Sequence, residues 1–280
     1  MVDKGLFDSY KAALDTVAAL AERDLAALME QCVGLSLDGV RDLLKRDYPA
    51  LAAKYGEVAA AAALDFYRRT RTLASVKSEY KPTMPDAVDA KACEGDVGYH
   101  MGAQYQAGAI DAALLQSALS GSLDRRVLCQ ADAALIGNAQ RDPAKPKWAI
   151  VPHPGACGWC VTLGSNGFHY SSSASVESQR HDHCKCTTVV DFSGHGSVDG
   201  YDPDALYDAF AAARKKAKPE AQAKWESMTQ EQREKWRDKH RQLWDDRKMS
   251  KRHEDYPMWA VKADFIEKDT MNRIVRTLTP

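Results

Sequence analysis

No stretch of the 280 residues approaches the roughly 18–20 consecutive apolar residues that a membrane helix needs, so no membrane association is expected. An excess of one charge is also missing. The 38 Lys and Arg offset 39 Asp and Glu, leaving a net charge of -1. No global field therefore draws the chain toward nucleic acid, although a local basic patch stays compatible with that balance. The opening Met-Val-Asp-Lys-Gly-Leu-Phe has no basic start followed by an apolar run, which predicts synthesis in the cytoplasm with reduced thiols. Nor is there a phosphate-cradling loop: Gly95, Gly98 and Gly102 follow no strand and no Gly-Lys-Ser/Thr accompanies them. Their spacing reads instead as close contact between helices.

What is present is a globular composition, 45% hydrophobic and 28% charged, on a chain long enough for a sizeable core. Leu6, Tyr10, Leu14, Val17, Leu20, Ala21, Leu25 and Leu28 recur at spacings of three and four, which predicts an amphipathic helix over 3–31. Gly34 suits the stop and Ser36 the next N-cap. A helix over 37–48 follows, and Pro49 is placed at the first turn of a new one running to about 76. Its run from Ala59 to Ala63 favours helix and lets neighbours approach closely. Pro82 and Pro85 mark a connector, with Asp86 able to cap a further helical stretch over about 86–140.

At Asp142-Pro-Ala-Lys-Pro146 the character of the chain changes. Short strands are predicted at 148–151, 167–170 and 187–190, with a Gly/Ser/Asp-rich loop over 192–202. After Pro203 the sequence is helical again and highly charged: 18 Lys and Arg against 14 Asp and Glu over 203–280. Thr229 and Gln232 form a capping box, and Trp236, His240, Leu243 and Arg247 mark one face of the helix after it. Trp225, Trp236, Trp244 and Trp259 read equally as anchors that dock these helices on the main body and as a surface for another subunit. The expected fold is mostly α (α+β), in three parts. Residues 1–141 form a helical domain, 142–202 a small β-rich Cys/His module, and 203–280 a charged helical extension.

Cysteine is the residue whose distribution speaks most clearly. Cys32, Cys93 and Cys129 stand alone in helical segments and read as small buried hydrophobes. The other four lie within 30 residues: Cys157-Gly-Trp-Cys160, then His181-Asp-His183-Cys184-Lys-Cys186. A Cys-x-x-Cys turn aims two thiolates at one ion, and a second pair from a distant turn completes a tetrahedron around zinc at Zn–S of about 2.3 Å. The candidate ligands are Cys157, Cys160, Cys184 and Cys186, with His181, or alternatively His183, able to replace one cysteine of the second pair. A structural zinc would supply about 10–16 kcal/mol of apparent binding energy to a segment with few large apolar residues.

Two other chemistries use the same residues. One is a metal-free hairpin core with reduced or disulfide-linked cysteines. The other is a catalytic thiol at Cys184 beside His181 and His183, for which no oxyanion hole or orienting acid can be identified. His169 and His195 read as polar surface residues.

Cys157-x-x-Cys160, Gly167-Phe-x-Tyr170 and His181-x-x-Cys184-Lys185-Cys186, followed by Thr-Thr-Val-Val, resemble the MuF-type minor head protein domain of tailed phages. That domain ends in His-Pro-Asn-Cys-Arg-Cys. Here Asp182 and His183 stand for Pro and Asn, and Lys185 for Arg. The likeness is specific over 150–192 and looser over Tyr55-Gly56 and the Ala-rich helix to Phe66-Tyr67. It implies a virion protein present in few copies near the portal, acting in head assembly or in DNA packaging or delivery. Portal protein, major capsid protein and packaged DNA are the implied partners, and self-association is compatible. No enzymatic role is expected. A zinc-containing nucleic-acid-binding protein and a cysteine-dependent hydrolase are the alternatives.

Overall fold

The computed structural model describes residues 2–169, 180–236 and 238, and is mostly helical with one small sheet. It divides into two compact units, one of residues 1–153 with 166–202, the other of 154–165 with 203–280.

The first unit holds helices α1 (Lys4–Glu30), α2 (Leu37–Leu73), α3 (Ala90–Ala107) and α4 (Ala112–Arg141). Each begins where a short polar side chain accepts a hydrogen bond from an otherwise unpaired helical N–H. Asp3 accepts from Leu6 N at 2.7 Å, Ser36 from Gly39 N at 3.2 Å, Asp89 from Lys91 N at 2.9 Å and Asp111 from Leu114 N at 2.9 Å. The stripe expected on α1 is the one buried, Leu20 excepted, and Tyr10 stacks on Phe66 of α2 at 4.5 Å between ring centroids.

Four expectations for the helices need correction. Pro49 does not start a helix; it lies inside α2, which runs unbroken for 37 residues. Proline costs one backbone bond there, but Leu44, Tyr48, Ala52 and Tyr55 on both sides of it are buried on one face, and that packing holds the helix together. The stretch over 86–140 is two helices, parted at Gly108, which takes the left-handed conformation at φ 69 and bonds back to Tyr105 O at 3.2 Å. Asp89 caps α3, not Asp86. Nor do the three glycines of α3 serve a helix crossing: a Cβ at Gly95 or Gly102 would meet nothing within 4 Å. The close approach is at Gly56 of α2, where a Cβ would sit 2.7 Å from Val88 and 2.9 Å from Gln130 of α4.

Asp142, fully buried at the end of α4, gathers the ends of several elements. It accepts from Tyr67 at 3.0 Å, from Arg71 at 2.9 Å and from Ala144 N at 2.9 Å. The chain then enters β1 (Lys147–Val151), antiparallel to β2 (Thr187–Asp191) with Ala149 opposite Val189. Two of the three expected strands are present, and β2 is buried throughout because it packs against α4 and α2. The third is not. Gly167–His169 is a 3-10 turn, and Tyr170 lies outside the described residues. Phe168 there takes φ -84 and ψ 47, with its ring over Gly196, where a Cβ would overlap it.

The second unit holds α5 (Gly158–Gly164) and α6 (Pro203–Ser227), which pack on each other, and a helical turn over 230–236. The capping box forms as expected: Thr229 N donates to Gln232 at 2.9 Å and Gln232 N to Thr229 at 3.2 Å. Trp225 is buried and meets Trp236 edge to face at 5.5 Å, so these two tryptophans anchor their own helices. His240, Leu243, Trp244, Arg247 and Trp259 lie outside the described residues.

One buried group of the first unit carries a pH dependence. Asp124 of α4 has no exposed surface, and neither carboxylate oxygen has a hydrogen-bond partner among the described residues. Burial pushes its carboxyl up to about 7, and the Glu22 carboxyl of α1 adds to the shift; Lys185 and Arg180 oppose it. An acid with a folded pKa above its unfolded value of about 3.9 keeps its full stabilisation only at low pH and loses it as pH rises to about 7. Asp124→Asn should therefore gain stability relative to the parent between pH 4 and pH 8, by up to about 4 kcal/mol. Urea unfolding at both pH values checks this, and a pH-independent difference would contradict it.

Candidate metal centre

Within the first unit, the turn ahead of β2 carries His181, Cys184 and Cys186 and is held down by α4. Arg180 opens the turn with its side chain only 7% exposed, and both its Nε and its Nη2, the latter at 2.8 Å, bond Asp132 of α4. The same guanidinium donates to the Cys184 carbonyl at 3.3 Å, and Thr188 of β2 donates to Asp132 at 2.6 Å. Two turns earlier on α4, Arg125 bonds Asp182 at 2.7 Å and Ser122 donates to it at 3.2 Å. Arg125 and Arg126 both reach Asp96 of α3, at 3.0 Å and 2.7 Å, so α3 braces the same face.

Gly121 makes the approach of turn and helix possible. A Cβ there would lie 2.6 Å from His183 Nε2 and 2.9 Å from Asp182 Cβ. His183 takes the left-handed conformation at φ 59, which reverses the chain, and Cys184 N closes the turn on His181 O at 3.2 Å. Cys184 and Cys186 are buried while Lys185 between them is exposed, as the period of two in an extended chain requires. Their sulfurs lie within 4.8 Å of one another.

His181 is arranged like a metal-ligating histidine. Its Nδ1 lies 2.8 Å from the Asp182 carbonyl, and a carbonyl can only accept. The proton therefore sits on Nδ1 and the lone pair on Nε2, the tautomer that backbone bonds commonly fix behind a metal.

In the second unit, Cys157 occupies the extended N-cap position of α5 at φ -72 and ψ 162, and Cys160 lies in the first turn. Three positions apart at a helix start, the two side chains share a face, and their sulfurs also lie within 4.8 Å. A tetrahedral zinc at about 2.3 Å from each sulfur needs sulfurs about 3.8 Å apart, a spacing either pair can adopt. The four cysteines and His181 make up the Cys/His groups able to hold a metal ion among the described residues; His183 belongs to neither.

Several of these parts were missed by sequence reasoning. Arg180, Asp132, Ser122 and Arg125 carried no motif, because their partners lie 48 to 60 residues away, and Gly121 carried none either. His100, Ser122 and Asp182 also resemble a hydrolase triad in composition, with His100 Nε2 2.9 Å from Ser122 Oγ. The connectivity does not activate the serine. Its one proton goes to Asp182, so His100 must donate to it, and Asp182 is held by Arg125. The lone cysteines behave as expected in part: Cys32 and Cys93 are buried and Cys129 half-buried, and burial pushes each thiol up.

Residues 1–213, which include both cysteine pairs and the α4 platform, match the VG15 protein family. The chain belongs to that family. VG15 is a viral protein family, which makes the chain a phage-type viral protein. No curated protein and no solved structure matches the chain.

Asp132→Asn leaves the buried Arg180 cation without its counter-charge. It should cost about 3 kcal/mol in urea unfolding, with the helical circular dichroism signal retained at low denaturant. A loss below about 0.5 kcal/mol would mean that the pair does not hold the turn.

Proposed function

We propose that this VG15-family chain is a structural minor head protein of a tailed phage or prophage, of the MuF type, built around one structural zinc. The ligands are Cys157, Cys160, Cys184 and Cys186, or three of these cysteines with His181. The observation that carries the reading is a pair of cysteine claws, each with its sulfurs within 4.8 Å, in a chain of a viral family. The zinc acts as a staple, because the sheet it adjoins is only two five-residue strands. In this reading 1–141 is a helical body, 142–202 the stapled module and 203–280 a charged extension. The chain is a component of the virion, contacting portal or major capsid protein and acting in head assembly or DNA delivery without an enzymatic step. No helix among the described residues is long and apolar enough to cross a membrane.

Elemental analysis of protein purified without chelator should give one zinc per chain, and Cys160→Ser and Cys184→Ser should each lower that content and destabilise the fold by several kcal/mol. Full thiol titration with well under one zinc per chain would reject the metal. For the virion role, the chain should co-purify with portal protein from assembled particles, and its absence from them would reject that role.

A further inference from the structure

The end of α2 and the segment folded back across it enclose a cleft of about 440 Å³, lined by Arg68, Arg71, Thr72, Ser75, Lys77 and Tyr80 among others. Residues 65–81 hold five Lys and Arg against two Asp and Glu, in a chain whose overall charge is -1. Cations at a helix C-terminus have an ordinary explanation, which is that they complement the exposed carbonyls of the last turn. Here three of those carbonyls are already taken: Thr70 O by Ala74 N at 3.0 Å, Thr72 O by Ser75 N at 2.9 Å, and Arg71 O by Val76 N at 3.3 Å. Ser75, left-handed at φ 53, makes the turn that brings Lys77 back beside the helix.

The walls of the cleft are fixed. Arg71 is held by Asp142 at 2.9 Å and by Ser78 Oγ at 2.9 Å. The opposite wall is pinned by buried Asn138, which accepts from Tyr80 at 2.8 Å and from Thr83 N at 2.9 Å and donates to Thr83 O at 2.9 Å. Arg68 and Lys77 differ from their neighbours in having no carboxylate partner among the described residues, whereas Arg69 pairs with Asp65 at 3.6 Å and does not line the cleft. Two uncommitted cations, a fixed guanidinium and two hydroxyls thus face one space of a size that takes a small ligand. We infer that this cleft binds a phosphate group, either in a phosphodiester backbone or in a free phosphorylated compound. The inference depends neither on zinc nor on the virion role.

The test uses the full chain with two probes at low salt: a labelled single-stranded DNA oligonucleotide followed by fluorescence anisotropy, and inorganic pyrophosphate followed by calorimetry. Arg68→Glu/Lys77→Glu should weaken whichever probe binds by about tenfold or more, while Arg69→Glu changes it by less than about threefold. DNA binding names a nucleic-acid backbone as the source, and pyrophosphate binding alone names a free phosphate compound; either supports the cleft. Binding of neither probe overturns the inference, and so does an equal loss in the two variants, which is the signature of diffuse charge. Should the double glutamate variant lose its helical signal, Arg68→Gln/Lys77→Gln replaces it and the same comparison decides.

Discussion

The buried pair between Arg180 and Asp132 is the interaction on which the candidate centre depends. A guanidinium taken out of water needs a carboxylate in bidentate reach, and α4 supplies one at the point where the turn before β2 begins. That single contact fixes three things at once. It sets the height of the turn on the helix, it holds the Cys184 carbonyl, and through Thr188 it sets the first inward position of the strand that follows. The second cysteine pair therefore inherits its geometry from a helix that contributes no ligand of its own. The α3 acid Asp96 extends the arrangement, since it shares Arg125 between the brace and Asp182.

Much of the framework was legible in the sequence because it rests on local chemistry. The buried stripe of α1, the Ser36 cap, the Thr229–Gln232 box and the strands at 148–151 and 187–190 all follow from residues a few positions apart. The failures share a cause as well. Pro49 is outweighed by packing on both sides of it, and Gly108 breaks a helical pattern through a left-handed cap that periodicity does not register. The sequence over 167–170 alternates like a strand, but Gly167–His169 is a 3-10 turn with Phe168 seated over Gly196. Within the cluster, spacing singled out the cysteines as candidates but did not separate His181 from His183. What separates them is the Nδ1 bond of His181 to a neighbouring carbonyl and the backward turn at His183, neither of which a sequence displays.

The first unit also concentrates its buried charge on α4. Asp124, Asp132 and Asp142 lie along one helix, each out of contact with bulk water or nearly so, and each is treated differently. Asp142 receives three donors, Asp132 a guanidinium and a hydroxyl, and Asp124 no hydrogen-bond donor among the described residues. The fully satisfied pair defines where strands and turns attach. The unsatisfied one makes the contact of α4 with α1 the place where this helical body is sensitive to protons.

Gly121 has a consequence for how variation in this chain would be interpreted. It has no side chain to donate a hydrogen bond or to ligate, and it sits in mid-helix, where alanine would ordinarily be an improvement. Yet a Cβ at that position would meet His183 Nε2 at 2.6 Å and Asp182 Cβ at 2.9 Å, so the turn that carries Cys184 would have to shift to admit one. A survey of tolerated substitutions would rank this featureless residue beside the cysteines themselves. Intolerance there would trace the close seating of the turn on α4, and a reader looking for reactive groups would mistake an empty space for a functional one.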